Sequence, residues 1–292
     1  ISFDIAIVDY NLRAQSNDEV SYAKELAKKY NKEIFIFDTI IENSSNFEKK
    51  ARDIRYTFFE EIINKHSYET LITAHQLNDK LEWFMMQLSK GAGLVELIGF
   101  NEFEHKENYQ IYKPLLNITK DELIIYLQKN SYKYFIDESN FDEKYKRNFF
   151  RHNFSNKFLE EFSPGIKKSF EYLQNDLNSM NIQNEAMKKI DELEIFLNQN
   201  DDNLNIRTID LSLKKRGFLL SSAQRNEIIK QKELTISHKI NISICEKYIW
   251  IAPLNKSIMD KTFKDTCRIN NIPKNIRAYI SYKKINPKEL MP

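Results

Sequence analysis

The sequence predicts an α/β fold in which helices cover both faces of a parallel sheet. The first observation is that short β-prone apolar runs alternate with amphipathic stretches of helical spacing through about residues 4 to 128. The second is that Ser16 and Thr119 are each followed three residues later by Glu, a capping box that marks a helix start. The third is that this alternation stops near Asp137, which predicts a helical region and then a small C-terminal α+β module.

Each element of the first part follows from its local pattern. Apolar runs this short are typical of buried parallel strands, and we expect strands at 4–8, 33–37, 70–74 and 110–112. Helices are expected to begin at Ser16, Asn46, Asn78 and Thr119, where capping residues precede apolar positions at helical spacing.

The second part has a different pattern. Ser163 and Pro164 predict a helix start, and apolar residues at helical spacing through 166–177 and 187–197 predict a helical pair or one long bent helix. We expect a loop at 198–205, a helix at 222–232, a small hairpin at 234–251, and a basic, partly helical tail from 259. The predicted domains are an α/β domain at 1–155, a helical domain at 156–232 and a small C-terminal module at 233–292.

Composition sets limits on the class of protein. The 292 residues are 41% hydrophobic and 29% charged with a net charge of +2, so a surface for nucleic acid must be a local patch. Cys245 and Cys267 have no metal-binding spacing, so we predict free thiols, a reducing cytoplasm and no metal site on the protein. We see no signal peptide and no apolar run of the ~20 residues that a membrane span needs.

A histidine and two acidic residues form the first candidate site. His75 follows the apolar run 70–74, and open α/β sheets place ligands at the carboxyl ends of their strands. Asp79 and Glu82, three residues apart, lie on one face of the first turn of the next helix. A structural alternative stays open, because acidic residues in a first turn are also favoured by the helix dipole.

Two basic stretches add further candidates. Arg52 and Arg55 lie three residues apart on the polar side of the helix that begins at Asn46. They could clamp a phosphate or carboxylate, or they could simply form a solvated helix face. Arg147 and Arg151 alternate with phenylalanines in the charged run 137–152, a composition suited to a nucleic-acid backbone or to an ordinary basic loop.

Taken together, these stretches resemble the tRNA(Ile)-lysidine synthases, a family of N-type ATP pyrophosphatases. Order and spacing agree with the family over about residues 5–152, whereas 160–292 resembles it only loosely. The matching stretches are IVDYNLR at 7–13, NxxxxARxxRY at 46–56, AHQLNDKLEW at 74–83, KGAG at 90–93, KPLL at 113–116, and DxSN followed by RNxxRH at 137–152.

This chain departs from the family pattern at several positions. Ile7 and Tyr10 replace two histidines, and Gln76 and Asn78 replace a second histidine and a first aspartate. The resemblance also implies an SGGxDS phosphate loop one strand–helix unit before Asp4, and we expect it upstream of Ile1. Such a loop binds pyrophosphate through backbone N–H groups.

The resemblance implies a Rossmann-like sheet and an ATP-dependent ligase, with 1–155 as its catalytic domain and 233–292 as a tRNA-binding module. Enzymes of this family adenylate the wobble cytidine of tRNA(Ile), and the lysine amine then displaces AMP. The implied substrates are tRNA(Ile), L-lysine and ATP, with Mg²⁺, and the implied location is the cytoplasm; a homodimer stays open. The implied residues are His75, Asp79, Glu82 and Arg55 for catalysis, Arg52, Asn46 and Arg13 for substrate binding, and Asn140, Lys146, Arg147, Asn148 and Arg151 for tRNA binding.

The sequence also leaves three alternatives open. A tRNA-thiolating ATP pyrophosphatase that carries sulfur on paired cysteines would need such a pair near the crevice, and Cys245 and Cys267 lie outside the α/β part. A non-catalytic tRNA-binding homologue would account for Gln76 and Asn78 as signs of decay. A generic Rossmann-like metabolic enzyme fits the sheet but not the ordered arginine motifs.

Overall fold

The computed structural model describes residues 2–11, 15–41, 47–136, 146–180, 182–183 and 185–290. The chain forms two compact units, Ile1–Asn175 and Asp176–Pro292. This division differs from the three predicted domains, because its boundary falls inside the predicted helical domain at 156–232.

The part of the chain up to residue 179 alternates strands and helices, as predicted. Its elements are β1 (Ile5–Asp9), α1 (Ser16–Tyr30), β2 (Ile34–Asp38), α2 (Phe47–His66), β3 (Thr70–Ile72), α3 (Leu77–Leu88), α4 (Leu94–Leu97), β4 (Phe103–His105), β5 (Gln110–Tyr112), α5 (Lys120–Lys129), α6 (Lys146–Phe150), a π-helical turn (Arg151–Ser155) and α7 (Asn156–Ser179).

The strands of the first unit form two short sheets within the described residues. β1 pairs in parallel with β2, and β3 pairs in parallel with β5. Strand β4, which the sequence did not predict, adds an antiparallel edge to β5. The parallel pairings confirm the predicted α/β class.

Strands β1 and β3, which belong to different sheets, line the same apolar cavity. Among the described residues, β1 pairs only with β2 and β3 pairs only with β5, so each has one unpaired edge. Side chains of both strands and of α2 line the cavity of about 710 Å³, including Ile5, Leu71, Ile72, Phe59 and Ile63. Tyr68 donates a hydrogen bond of 2.5 Å to Asp4 and joins the starts of the two strands.

Helix α3 begins earlier than its predicted cap. Gln76 in extended conformation is the N-cap, and its N–H donates to Asp79 Oδ2 at 2.8 Å. The prediction that Asn78 caps this helix is wrong, because α3 already begins at Leu77, whose side chain is fully buried. The Asn78 amide oxygen instead accepts from the N–H of Lys120 at 2.9 Å, at the start of α5.

Helix α7 contains Pro164 in its interior, so the prediction that a helix starts at Ser163 is wrong. Proline removes one backbone hydrogen bond and normally disfavours an interior position. Here buried apolar residues lie on both sides of it, Leu159 before and Ile166 and Phe170 after. Packing therefore holds the helix together through the proline.

The second unit is an antiparallel sheet with helices on both faces. Its elements after α7 are β6 (Lys188–Ile190), β7 (Leu193–Leu197), α8 (Asp202–Lys215), α9 (Ser222–Gln231), β8 (Glu233–Ile236), β9 (Ile240–Ile244), β10 (Tyr248–Pro253), α10 (Lys261–Ile269), α11 (Arg277–Tyr282) and a 3₁₀ turn (Pro287–Glu289). The strand order is β6-β7-β10-β9-β8. One face packs on Ile209 and Ile228, and the other on Cys267 and Ile280.

The helix predicted over 187–197 is wrong, because this stretch forms strands β6 and β7. The turn between them passes through Asp191 in left-handed conformation (φ 50°), which breaks any helix. Leu193–Phe196 are all buried, as in a central strand covered on both faces. The loop predicted at 198–205 also ends early, since Asp201 caps α8 through the N–H of Leu204 at 2.9 Å.

No helix among the described residues is long and apolar enough to cross a membrane.

Candidate active site

The structure brings Arg55 and His75 to one cavity at the carboxyl end of β3. This cavity of about 320 Å³ is lined by α2 through Arg55, Tyr56 and Phe59 and by the strand end through 72–75. The position predicted for His75, at the end of a strand and near the helix that carries Arg52 and Arg55, is the one observed.

His75 is half-buried and held by its neighbours. Its Nδ1 lies 2.8 Å from the hydroxyl of Thr73, and the ring of Phe100 contacts it edge-on with centroids 5.1 Å apart. Burial lowers the pKa of His75 below its ordinary value, and the nearby cations Arg147, Lys113 and Arg52 lower it further. Among the described residues, Asp79 acts in the opposite direction. The imidazole is therefore neutral at pH 7.

Asp79 and Glu82 on α3 are bound by two arginines from the helical segment after residue 145. Arg147 donates to Asp79 Oδ1 at 2.5 Å and to Glu82 Oε2 at 2.8 Å. Arg151 donates from Nε to Glu82 Oε1 at 2.7 Å and from Nη2 to Oε2 at 3.1 Å. Although burial opposes it, the two carboxylates raise the pKa of Arg147, so this guanidinium stays charged.

The two carboxylates differ in access. Glu82 is fully buried and both of its oxygens accept from guanidiniums, so it has no free oxygen for a substrate. Its side chain orients Arg147 and Arg151. Asp79 keeps 17% side-chain exposure, and its Oδ2 caps the N–H of Gln76. Of the two acids, Asp79 is the one that a ligand can reach.

Arg52 and Tyr10 extend the site along α2. Arg52 is exposed and stacks on the ring of Tyr56 with its guanidinium carbon 4.5 Å from the centroid. Tyr10, just after β1, donates to the carbonyl of Ala51 at 2.7 Å. Burial raises the pKa of Tyr10, with Arg55 opposing, so this phenol stays protonated and ties β1 to the arginine helix.

The predicted tRNA-binding residues are in unlike surroundings. Lys146 is exposed, Asn148 is buried, and Arg147 and Arg151 have carboxylate partners. The predicted residues Arg13, Asn46 and Asn140 lie outside the described residues, as do Asp137 and Ser139 of the DxSN motif. The roles assigned to all of these residues stay predictions.

Sequence reasoning missed three residues that touch the site. Thr73 had a local signal, because residues two apart on an extended segment point to the same side, and His75 is two residues on. Phe100 had no local signal, since it reaches His75 from beyond α4. Lys113 is buried with its ammonium 3.1 Å from the carbonyl of Asn101 and 5.3 Å from the ring of Phe100.

The described residues do not form a metal site. They contain no group of three or more His, Cys, Asp or Glu side chains placed to hold an ion. Both oxygens of Glu82 accept hydrogen bonds from arginines, and Asp79 is ion-paired with Arg147. These carboxylates therefore do not fit Mg²⁺ as a resident ion. A magnesium ion that enters bound to nucleotide phosphates would not depend on them.

Comparison with known proteins gives first the class and then the family. A family model described as the PP-loop domain matches residues 1–158, which makes this an ATP-using PP-loop protein. Curated relatives named tRNA(Ile)-lysidine synthase include one from Campylobacter jejuni (strain RM1221), 43% identical over 98% of this chain and 87% of its own. Those from Wolinella succinogenes (39%; 96% and 85%) and Helicobacter hepaticus (38%; 95% and 75%) are similar. The chain belongs to the tRNA(Ile)-lysidine synthase family.

A solved U34-tRNA thiolase from Methanococcus maripaludis is 18% identical with a TM-score of 0.47, covering 63% of each chain. At that distance it adds nothing to the assignment.

Proposed function

We propose that this protein joins lysine to C2 of the wobble cytidine of tRNA(Ile) at the expense of ATP. The observation that carries the proposal is the meeting of Arg55 and His75 in one cavity, with Asp79 beside them, in a chain of this family. A nucleotide, an amino acid and a base all need charged groups at one place, and this edge of the sheet supplies both signs.

The reaction has two steps that balance in atoms and charge. The C2 oxygen of cytidine attacks the α-phosphate of ATP, and pyrophosphate leaves. The side-chain amine of lysine then attacks C2, AMP leaves with that oxygen, and the nitrogen loses a proton. The base must leave its stack in the anticodon to reach the cavity.

Three residues are assigned roles in these steps. Arg55 stabilises the negative charge that develops on phosphate oxygens, because a guanidinium keeps its charge and presents several donors. Asp79 holds an ammonium group of lysine, which competes with Arg147 for Oδ1. His75, which is neutral, forms a hydrogen bond or transfers a proton near the departing AMP.

The cavity between β1 and β3 supports the expectation of an upstream phosphate loop. A parallel strand placed there would pair with both unpaired edges and would cover Ile5 and Leu71. A loop after that strand would then emerge at the same edge of the sheet as His75. We therefore assign ATP to this edge.

For tRNA, exposed Lys146 and Lys157 are the best-placed cations on the helical segment that carries the arginines. Lys167 and Lys168 lie further along α7, but each is paired with a glutamate at 3.0 and 2.9 Å. The basic residues after 259 belong to the second unit and are proposed as further phosphate contacts in their own right.

The experiment is to incubate the protein with ATP, Mg²⁺, lysine and tRNA(Ile) that carries an unmodified wobble cytidine. Mass spectrometry of the digested tRNA should show a cytidine heavier by lysine less one water, together with release of pyrophosphate and AMP. Omitting lysine should leave the pyrophosphate release and abolish the AMP release. An unmodified tRNA in the complete reaction would contradict the proposal.

Thiolation of tRNA is not supported as the alternative. Cys267 is fully buried, and burial raises the pKa of both Cys267 and Cys245, so neither thiol is activated. Both belong to the second unit rather than to the unit that contains His75.

A further inference from the structure

We propose that Thr73 is a positioning residue that donates its hydroxyl hydrogen to Nδ1 of His75 and so presents Nε2–H to the cavity shared with Arg55. His75 then works as a neutral hydrogen-bond donor rather than as a general base. This inference rests on the proposed function for the identity of the acceptor, but the tautomer itself can be measured without substrate.

The first support is the geometry of one short segment. Thr73 comes directly after β3, and its N–H donates to the carbonyl of Tyr112 at 3.0 Å, which continues the pairing of β3 with β5. That bond fixes the backbone of Thr73, so its hydroxyl is held beside the ring of His75, 2.8 Å from Nδ1. The distance is that of a good hydrogen bond.

The direction of this bond follows from counting donors and acceptors. A hydroxyl has one hydrogen, and a neutral imidazole has one N–H and one lone pair. If Nδ1 carried the hydrogen, the hydroxyl of Thr73 would lose its acceptor, because within the described residues it has no other hydrogen bond. Donation from Thr73 to Nδ1 gives the half-buried hydroxyl its acceptor and leaves Nε2–H as the donor for the cavity that His75 lines. The other tautomer would leave the hydroxyl hydrogen without an acceptor, which is costly at a half-buried group.

The surroundings of the ring keep His75 neutral and limit its rotation. Charged groups act on it from several elements: Asp79 from α3, Arg147 from α6, Arg52 from α2, and Lys113 from the end of β5. Phe100 contacts the ring edge-on at 5.1 Å between centroids. With Nδ1 occupied by Thr73, Nε2 is the nitrogen left to meet a ligand.

The chemical consequence concerns an oxygen that gains negative charge. In adenylation this is a phosphate oxygen of ATP, and in the second step it is an oxygen of the departing AMP. A fixed N–H aimed at such an oxygen stabilises the transition state more than the ground state. Removing the proton from the attacking lysine amine then falls to another group or to solvent.

The test is nitrogen-15 NMR of the full chain labelled at its five histidines, with the His75 signals assigned by their loss in His75→Gln. We expect a protonated Nε2 and an unprotonated Nδ1 at neutral pH. Thr73→Val should give a mixture of tautomers, and Thr73→Ser should restore the single one. Thr70→Val is the matched control, since the hydroxyl of Thr70, at the start of β3, accepts from Gln110 at 3.1 Å.

In the lysidine assay, Thr73→Val should lower kcat by about 3- to 10-fold with little change in the KM for lysine, as expected for one hydrogen bond. Thr73→Ser should recover most of that loss. A protonated Nδ1 in the wild type, or a tautomer that Thr73→Val leaves unchanged, would overturn the inference. Absence of lysidine formation by the wild type, with the tautomer as expected, would count against the proposed function alone.

Discussion

Replacing Glu82 by glutamine tests whether this buried carboxylate holds the two arginines in place. The amide keeps the volume of Glu82 but removes the charge, which among the described residues leaves Asp79 as the acidic partner of Arg147 and Arg151. Losing one partner of a buried ion pair costs about 3–5 kcal/mol. Because the side chain of Arg147 is 40% exposed and water offsets part of its loss, we expect about 2–4 kcal/mol.

The assay is urea unfolding monitored by tryptophan fluorescence. The two tryptophans lie in different units, Trp83 on α3 and Trp250 on β10, so a Trp250→Phe background reports on the first unit alone. We expect Glu82→Gln to lower the urea midpoint without changing the slope of the transition.

The control is Glu171→Gln, which removes an exposed ion pair. Lys168 and Glu171 are 2.9 Å apart, with side chains 52% and 57% exposed, and such pairs contribute less than about 0.5 kcal/mol. Equal losses of unfolding free energy in Glu82→Gln and Glu171→Gln would refute the reasoning from burial.

Three further predictions concern the site and its ligands. Asp79→Asn should abolish AMP release that depends on lysine, because an amide holds an ammonium poorly; chromatography of the nucleotides measures this. His75 has a pKa below its ordinary 6.5 in the folded protein, so below about pH 6.5 the unfolded chain binds the proton more readily. The free energy of unfolding should therefore fall as the pH drops through that range, and His75→Gln should reduce the slope. Lys146→Gln and Lys157→Gln should each reduce the salt dependence of tRNA binding by about one unit of slope, measured by filter binding.

Each of these predictions has an outcome that contradicts it. Wild-type turnover in Asp79→Asn would reject a role for that carboxylate in binding lysine. An unchanged slope of stability against pH in His75→Gln would show that His75 titrates alike in both states. A salt dependence unaltered by both lysine substitutions would place the phosphate contacts elsewhere.

Local patterns were enough to find His75 and Asp79. Both are indicated by the end of one apolar run and the start of one helix, which are neighbours in sequence. The role of Glu82 could not be found in this way, because its partners Arg147 and Arg151 lie 65 and 69 residues away. Glu82, which the sequence places in a first helical turn as a catalytic candidate, lies in the second turn of α3, and both of its oxygens accept from arginines.

The fold was predictable where a local sequence pattern was compatible with only one kind of secondary structure. The capping box at Thr119 is present, with the N–H of Glu122 donating to the Thr119 hydroxyl at 3.1 Å, and α5 begins there. Ile190, Leu193 and Leu197 fit helical spacing equally well, yet they belong to two strands that a turn connects. For so short an apolar stretch, the pairing with β10 decides the structure, and no local signal carries it.

The π-helical turn Arg151–Ser155 has a consequence for how the chain tolerates change in length. A π turn holds about one more residue than an α turn, and one residue rotates the rest of the helix by roughly 100°. Deleting a single residue there would restore regular winding but swing the apolar side of α7, with Leu159 and Phe170, away from its present packing. Homologues that keep both the arginine pair and this packing should therefore conserve the length of the segment even where its side chains vary.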